Sequence, residues 1–242
     1  MTSRTCRRTW RKLLRDRHDV PPSLFFSIRE AYQGYAEFIT SAPVSVLTKK
    51  EHSGDGRPVL VIPGFTGSDL YNYPLISFLR RKGYHAKGWN LGRNFGHGFL
   101  NMDKLVERVA KLYHFEGQPV TLIGHSLGGV YARELAKRCP EHVRMVISLG
   151  SPFGEDRDKA SRWDGLYQLV KPSGASDTEG EWSKPPHVPC IAIYSVCDGV
   201  VNWRVTRQKG GDISCRNFKV RGSHVGLTNN KNVWRIIYNC LQ

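Results

Sequence analysis

The sequence predicts an α/β fold in which a mostly parallel sheet is covered by helices on both faces. Short runs rich in β-branched residues alternate with segments of helical periodicity from residue 57 to the carboxyl end. One alternation contains TLIGHSLGG, residues 121–129, where a strand pattern runs through Gly-His-Ser-Leu-Gly straight into a helix pattern.

The elements follow in order. Residues 1–22 carry seven Lys/Arg in the first seventeen positions, against Asp16 and Asp19, and read as a basic tail ending at Pro21-Pro22. No apolar stretch follows those charges, so no secretory signal is expected and the protein reads as cytoplasmic. A single domain is expected over 23–242. It opens with an amphipathic helix, because SLFFSIREAYQGYAEFIT places Phe25, Ile28, Tyr32, Tyr35 and Phe38 at helical spacing.

RPVLVIPGF then supplies the first central strand, followed by a helix around Tyr73–Arg81 and a strand near Tyr84–Trp89. A helix over Met102–Tyr113 leads to the strand Val120–Gly124. After Ser126, Val130, Leu135 and Ala136 alternate with Arg133, Glu134 and Lys137 as a helix that stops near Pro140. Strands at Val143–Gly150, Val188–Val196 and Asn217–Gly222 and a terminal helix from Val233 complete the pattern. Residues 154–187 break this rhythm, being polar, rich in Gly, Pro and Ser and long for a connection, as a cap or lid loop over a site would be.

A content of 40% hydrophobic and 24% charged residues describes a globular chain, and no apolar run approaches the roughly eighteen residues of a membrane span. The net charge of +15 is spread along the chain and suits weak association with an anionic membrane surface. No zinc-finger, RRM or P-loop pattern accompanies it, so no specific nucleic-acid partner is expected. The six cysteines lack metal-ligand spacing; neither metal nor cofactor is expected, and thiols are the default although Cys197 and Cys215 bracket a loop that a disulfide would close.

Gly124-His125-Ser126-Leu127-Gly128 fits a nucleophile elbow, whose small flanking residues let a sharp turn expose the serine. A serine hydroxyl needs a base to take its proton and a carboxylate to orient that base, and in elbow proteins both follow it in the chain, acid first. His142 and His187 precede strands, whereas His224 in VRGSHVGL follows one and so shares the carboxyl edge of the sheet with Ser126. Asp198 likewise closes a strand, while Asp212 precedes one and Asp156, Asp158, Asp164 and Asp177 fall in the presumed cap. The backbone N–H groups of Leu127 and of Phe65, in PGFTGSD, are the expected oxyanion donors. Phe65, Leu70, Phe95, Phe153 and Trp163, with Tyr71, Leu166 and Tyr167, suit an apolar acyl chain, and the glycine-rich loop LGRNFGHGF (91–99) is expected to form another wall.

Together PGF (63–65), GHSLGG (124–129), CDGVV (197–201) and GSHVGL (222–227) resemble the α/β-hydrolase superfamily, and within it small bacterial lipase/esterase-like serine hydrolases, over residues 57–237. The resemblance implies hydrolysis of a small-molecule or lipid ester through an acyl-enzyme. Thioesterases, amidases and acyltransferases use the same residues, whereas a non-catalytic binding protein on this fold would usually lack one of the three.

Overall fold

The protein is described here by a computed structural model covering residues 34, 39–41, 53–96, 102–154, 183–208 and 215–242. Strands β1 (Pro58–Ile62), β2 (His85–Gly88), β3 (Val120–His125), β4 (Val143–Leu149), β5 (Cys190–Ser195) and β6 (Cys215–Val220) form one sheet in the order β2-β1-β3-β4-β5-β6. Every adjacent pair is parallel. Helices α1 (Asp69–Arg81), α2 (Met102–Glu116), α3 (Leu127–Arg138) and α4 (Lys231–Leu241) cover it.

Central strands buried on both faces need apolar residues at successive positions, and β1 and β3 are buried throughout. Alternation along the strands sorts these residues into two layers. Leu60, Ile62, Val120, Leu122 and Val146 pack with Leu105 and Val109 of α2 and Val130 and Leu135 of α3. Val59, Val61, Ile123, Ile147 and Ile193 pack with Leu75 and Leu79 of α1 and Val233, Trp234 and Ile237 of α4. Phe78 stacks on Trp234 at 5.1 Å between ring centres, joining α1 to α4 across that second layer.

The expected elements are present with shifted ends. The helix is expected around Tyr73–Arg81. Helix α1 instead begins at Asp69, after Ser68 adopts extended geometry (φ −142°, ψ 175°), and holds Pro74 in its interior. The cost is the backbone bond that residue 74 would make to the Leu70 carbonyl one turn earlier. Leu70 is 77% exposed, so water can serve that carbonyl. Helix α4 starts at Lys231 because Asn230 Oδ1 accepts from the Asn232 and Val233 amides at its first turn. Two 3-10 turns, Trp203–Thr206 and Val225–Asn229, have no counterpart in the sequence reading.

The basic tail, most of the predicted first helix and residues 155–182 of the presumed cap lie outside the described residues. From the first helix, Gly34 and residues 39–41 are helical, and Ser41 Oγ donates to Asn229 Oδ1 at 3.2 Å. Among the described residues no helix is long and apolar enough to cross a membrane.

This strand order positions the site. The chain leaves β1 for β2 on one side, then crosses back to β3 on the other. The loops at the carboxyl ends of β1 and β3 therefore diverge and leave a crevice between them.

Candidate active site

Strand β3 ends at His125, and the chain enters α3 through Ser126 alone, at φ 50° and ψ −120°. A non-glycine residue there costs on the order of 1–3 kcal/mol and persists only where its surroundings hold it. The Ser126 N–H donates to the Leu149 carbonyl of β4 at 2.8 Å, and its carbonyl accepts from the Gly129 N–H at 3.0 Å. The flanking glycines are steric necessities: a Cβ on Gly124 would meet the Gly128 carbonyl, one on Gly128 the Ile62 and Pro63 carbonyls, and one on Gly129 the Ser151 hydroxyl.

The loop after β1 runs directly against this bend. A Cβ on Gly64 would lie 2.9 Å from His125 Nδ1 and 3.1 Å from Ser126 Cβ. Beside it, the Phe65 amide has no backbone acceptor among the described residues. Leu127 is the first residue of α3, where helix geometry leaves an N–H without an intrahelical acceptor. The loop is clipped in place by buried Asn94: Nδ2 donates to the Pro63 carbonyl at 2.8 Å, its N–H to the Gly67 carbonyl at 2.9 Å, and its carbonyl accepts from the Thr66 N–H at 2.6 Å. Sequence reasoning marked this glycine-rich segment as a wall but missed Asn94, whose only signal is a polar residue set between glycines.

On the far side of β4, Asp198 and His224 form a buried pair, with 1% and 5% of their side chains exposed. His224 Nδ1 donates to Asp198 Oδ2 at 2.6 Å, while Asp198 Oδ1 accepts from the Val200 and Val201 amides at 2.9 and 2.7 Å. Three donors on one carboxylate fix its position and thereby the tautomer and plane of the imidazole. Gly150 makes room for the pair: it sits at φ 58°, and a Cβ there would lie 3.2 Å from His224 Nδ1, 3.3 Å from Asp198 Oδ2 and 2.8 Å from Leu227.

His125 joins the two halves. Its Nε2 donates to the His224 carbonyl at 2.9 Å, and the two rings lie 5.0 Å apart. Burial, and secondarily the nearby His224, push its pKa down to about 3 against the opposing effect of that hydrogen bond. The ring is thus neutral at any ordinary pH and acts as a brace.

A cavity of about 590 Å³ opens over these groups, lined by Ser126, His125 and His224 together with Phe65, Leu70, Tyr71, Val200 and Val225. The Tyr71 hydroxyl crosses it to donate to the Val225 carbonyl at 2.6 Å. Thus Ser126, His224, Phe65 and Leu70 line one cavity. Phe95 and Phe153 do not line this cavity. Phe95 is 44% exposed, and Phe153 is buried in the protein with the Arg133 guanidinium 4.0 Å above its ring. Phe153 follows β4, but the Phe153 and Gly154 amides bond to the Val205 carbonyl and tie this stretch to the turn at 203–206, away from the lining. Trp163, Leu166, Tyr167 and Asp212 lie outside the described residues. His142 and His187 stand before β4 and β5, at the opposite end of the sheet, and no disulfide joins Cys197 to Cys215.

The fold has known counterparts. The family model for the alpha/beta hydrolase fold matches residues 57–173. A Haemophilus influenzae protein whose name assigns it to the esterase/lipase class is 32% identical over 139 residues, 52% of this chain and 47% of that protein. The serine hydrolase BPHL of Mus musculus is 24% identical over 170 residues, 64% of this chain and 55% of that protein. The chain therefore spans about half the length of these curated relatives. Among solved structures, a monoacylglycerol lipase of Paleococcus ferrophilus superposes with a TM-score of 0.55 at 14% identity, covering 80% of this chain and 96% of the other. An all-parallel sheet with a strained serine at the end of its central strand defines the α/β-hydrolase fold class. The chain has that fold, and the family model covers residues 57–173 of it.

Two outcomes test this geometry. Gly150→Ala combines a left-handed backbone with crowding of the Asp198–His224 bond. It should lower the melting temperature; a wild-type value would contradict the packing described. For His125, the unfolded chain binds a proton below about pH 6.5 that the folded chain refuses down to about pH 3. Its contribution to stability is therefore complete above about pH 6.5 and is lost as pH falls through that window. The melting temperature of His125→Gln should fall less between pH 7 and pH 5 than that of the wild type, and parallel curves would refute a buried neutral histidine.

Proposed function

We propose that the chain is a serine hydrolase of carboxylic esters, with Ser126 as nucleophile, His224 as base and Asp198 as the group that orients it. The observation that carries this reading is the 2.6 Å bond from His224 to a fully engaged Asp198, with His224 lining the same cavity as the strained Ser126. His224 Nε2 takes the proton of Ser126 as Oγ attacks the ester carbonyl. Negative charge gathers on the carbonyl oxygen, where the Phe65 and Leu127 N–H groups and the amino-terminal end of α3 receive it. Collapse of this intermediate expels the alcohol, which leaves with the proton from His224 and gives an acyl-Ser126 ester. Water then attacks that ester, giving its proton to His224; the acid departs and Ser126 recovers its hydrogen.

Phe65, Leu70, Val200 and Val225 give the cavity apolar walls, which suits the hydrocarbon part of an acyl group better than a polar one. The esterase/lipase class named for the Haemophilus relative and the lipase named for the Paleococcus structure point the same way.

Initial rates on p-nitrophenyl esters from acetate to palmitate test the proposal. Turnover by the wild type should fall to background in Ser126→Ala and by roughly 10³–10⁴ in Asp198→Asn, where the imidazole is left in the wrong tautomer. Retention of a large part of the wild-type rate by Ser126→Ala would remove the assignment.

A further inference from the structure

We infer that Arg93 is an anion-recognition residue of this cavity, so that the ester accepted here carries a phosphate or carboxylate group close to the scissile bond. The inference deepens the hydrolase reading and rests on it for the reaction.

Arg93 lines the cavity that holds Ser126 and His224, and it is the one formally charged side chain among the described lining residues. Among the described residues it makes no hydrogen bond, ion pair or ring contact. Nor does any Asp or Glu stand among the described lining residues to balance it. Asp69, the acid next to Ser68 in the chain, spends both carboxylate oxygens on the Trp89 and Asn90 amides, at 3.0 and 2.8 Å. The other polar groups of this rim are similarly uncommitted: Ser68 makes no side-chain cap on α1, and the Thr66 hydroxyl has no partner among the described residues.

An exposed arginine in a chain of net charge +15 would ordinarily be a solvated surface group. Two features separate Arg93 from that background. It precedes Asn94, whose three bonds to Pro63, Thr66 and Gly67 fix this backbone against the loop carrying the Phe65 amide. The cation is thereby held in register with the oxyanion donors. It also borders apolar walls, where occupation of the cavity by a hydrocarbon chain strips water from the rim. A guanidinium losing hydration without a protein carboxylate is stabilised by an oxyanion brought by the ligand. Its planar fork of donors matches phosphate and carboxylate in paired hydrogen bonds, with the Ser68 and Thr66 hydroxyls beside it.

The test compares three octanoyl esters of one acyl chain: octanoylglycerol, octanoylglycerol phosphate and octanoylglycerate. With wild-type protein, kcat/KM for at least one anionic ester should exceed that for the neutral ester by about tenfold or more, the scale of a charge-assisted bond. Arg93→Gln should collapse that ratio mainly through KM, and Arg93→Lys should restore part of it. The anionic ester that shows the larger preference identifies phosphate or carboxylate as the recognised group. Equal ratios in wild type and Arg93→Gln would overturn the inference while leaving Ser126-dependent hydrolysis intact. If no ester is turned over, the hydrolase reading fails instead, and Arg93 is then judged by calorimetric binding of octyl phosphate and octanoate to folded Ser126→Ala protein. Binding weakened about tenfold by adding Arg93→Gln would sustain the anion site, and equal affinity would overturn it.

Discussion

Between Gly124 and Gly128 the chain has to pass from strand to helix within a single residue, and Ser126 makes that turn at a φ of 50°. Because the turn is so tight, neighbouring backbone must approach to distances that only glycine tolerates, which is why residues 124, 128 and 129 carry no Cβ. The strain is balanced by bonds to the next strand and by the first turn of α3. What the fold gains is a hydroxyl projecting over the carboxyl edge of the sheet, next to an amide at a helix start that has no acceptor of its own. Gly64 leaves that serine room, Asn94 clips the loop that carries Gly64, and Gly150 makes room for the Asp198–His224 pair.

The electrostatics follow from burial. Asp198 is an almost wholly enclosed carboxylate, tolerable because two amides and an imidazole satisfy it. His125, equally enclosed but without an acid, is kept neutral and serves as a donor to the His224 backbone. Two adjacent imidazoles in one protein thus differ in their partners: one is tied to a carboxylate and can accommodate a positive charge, and the other cannot. Among the described residues lining the cavity, Arg93 is the one formally charged side chain.

Much of this was legible in the sequence, for identifiable reasons. Central parallel strands must be apolar at every position, so PVLVI and VTLIG read clearly, and chain order and strand ends point to Asp198 and His224, which the structure joins by a hydrogen bond. The start of α1 at Asp69, ahead of the expected Tyr73, depends on the extended geometry of Ser68. Asn94, Gly150 and the bracing role of His125 depend on contacts between segments far apart in the chain, which no local pattern records. Phe153 is named for the wall as an apolar aromatic residue; the bonds to Val205 and the buried Arg133 above its ring draw it away from the cavity.

The central claim is that Ser126 is an activated nucleophile, and covalent capture tests it most directly. A fluorophosphonate should add once to the folded protein, on the peptide containing Ser126, and His224→Ala should react at least about a hundredfold more slowly, the lower end of what a general base contributes. Labelling at another residue, or equal rates with and without His224, would contradict the account.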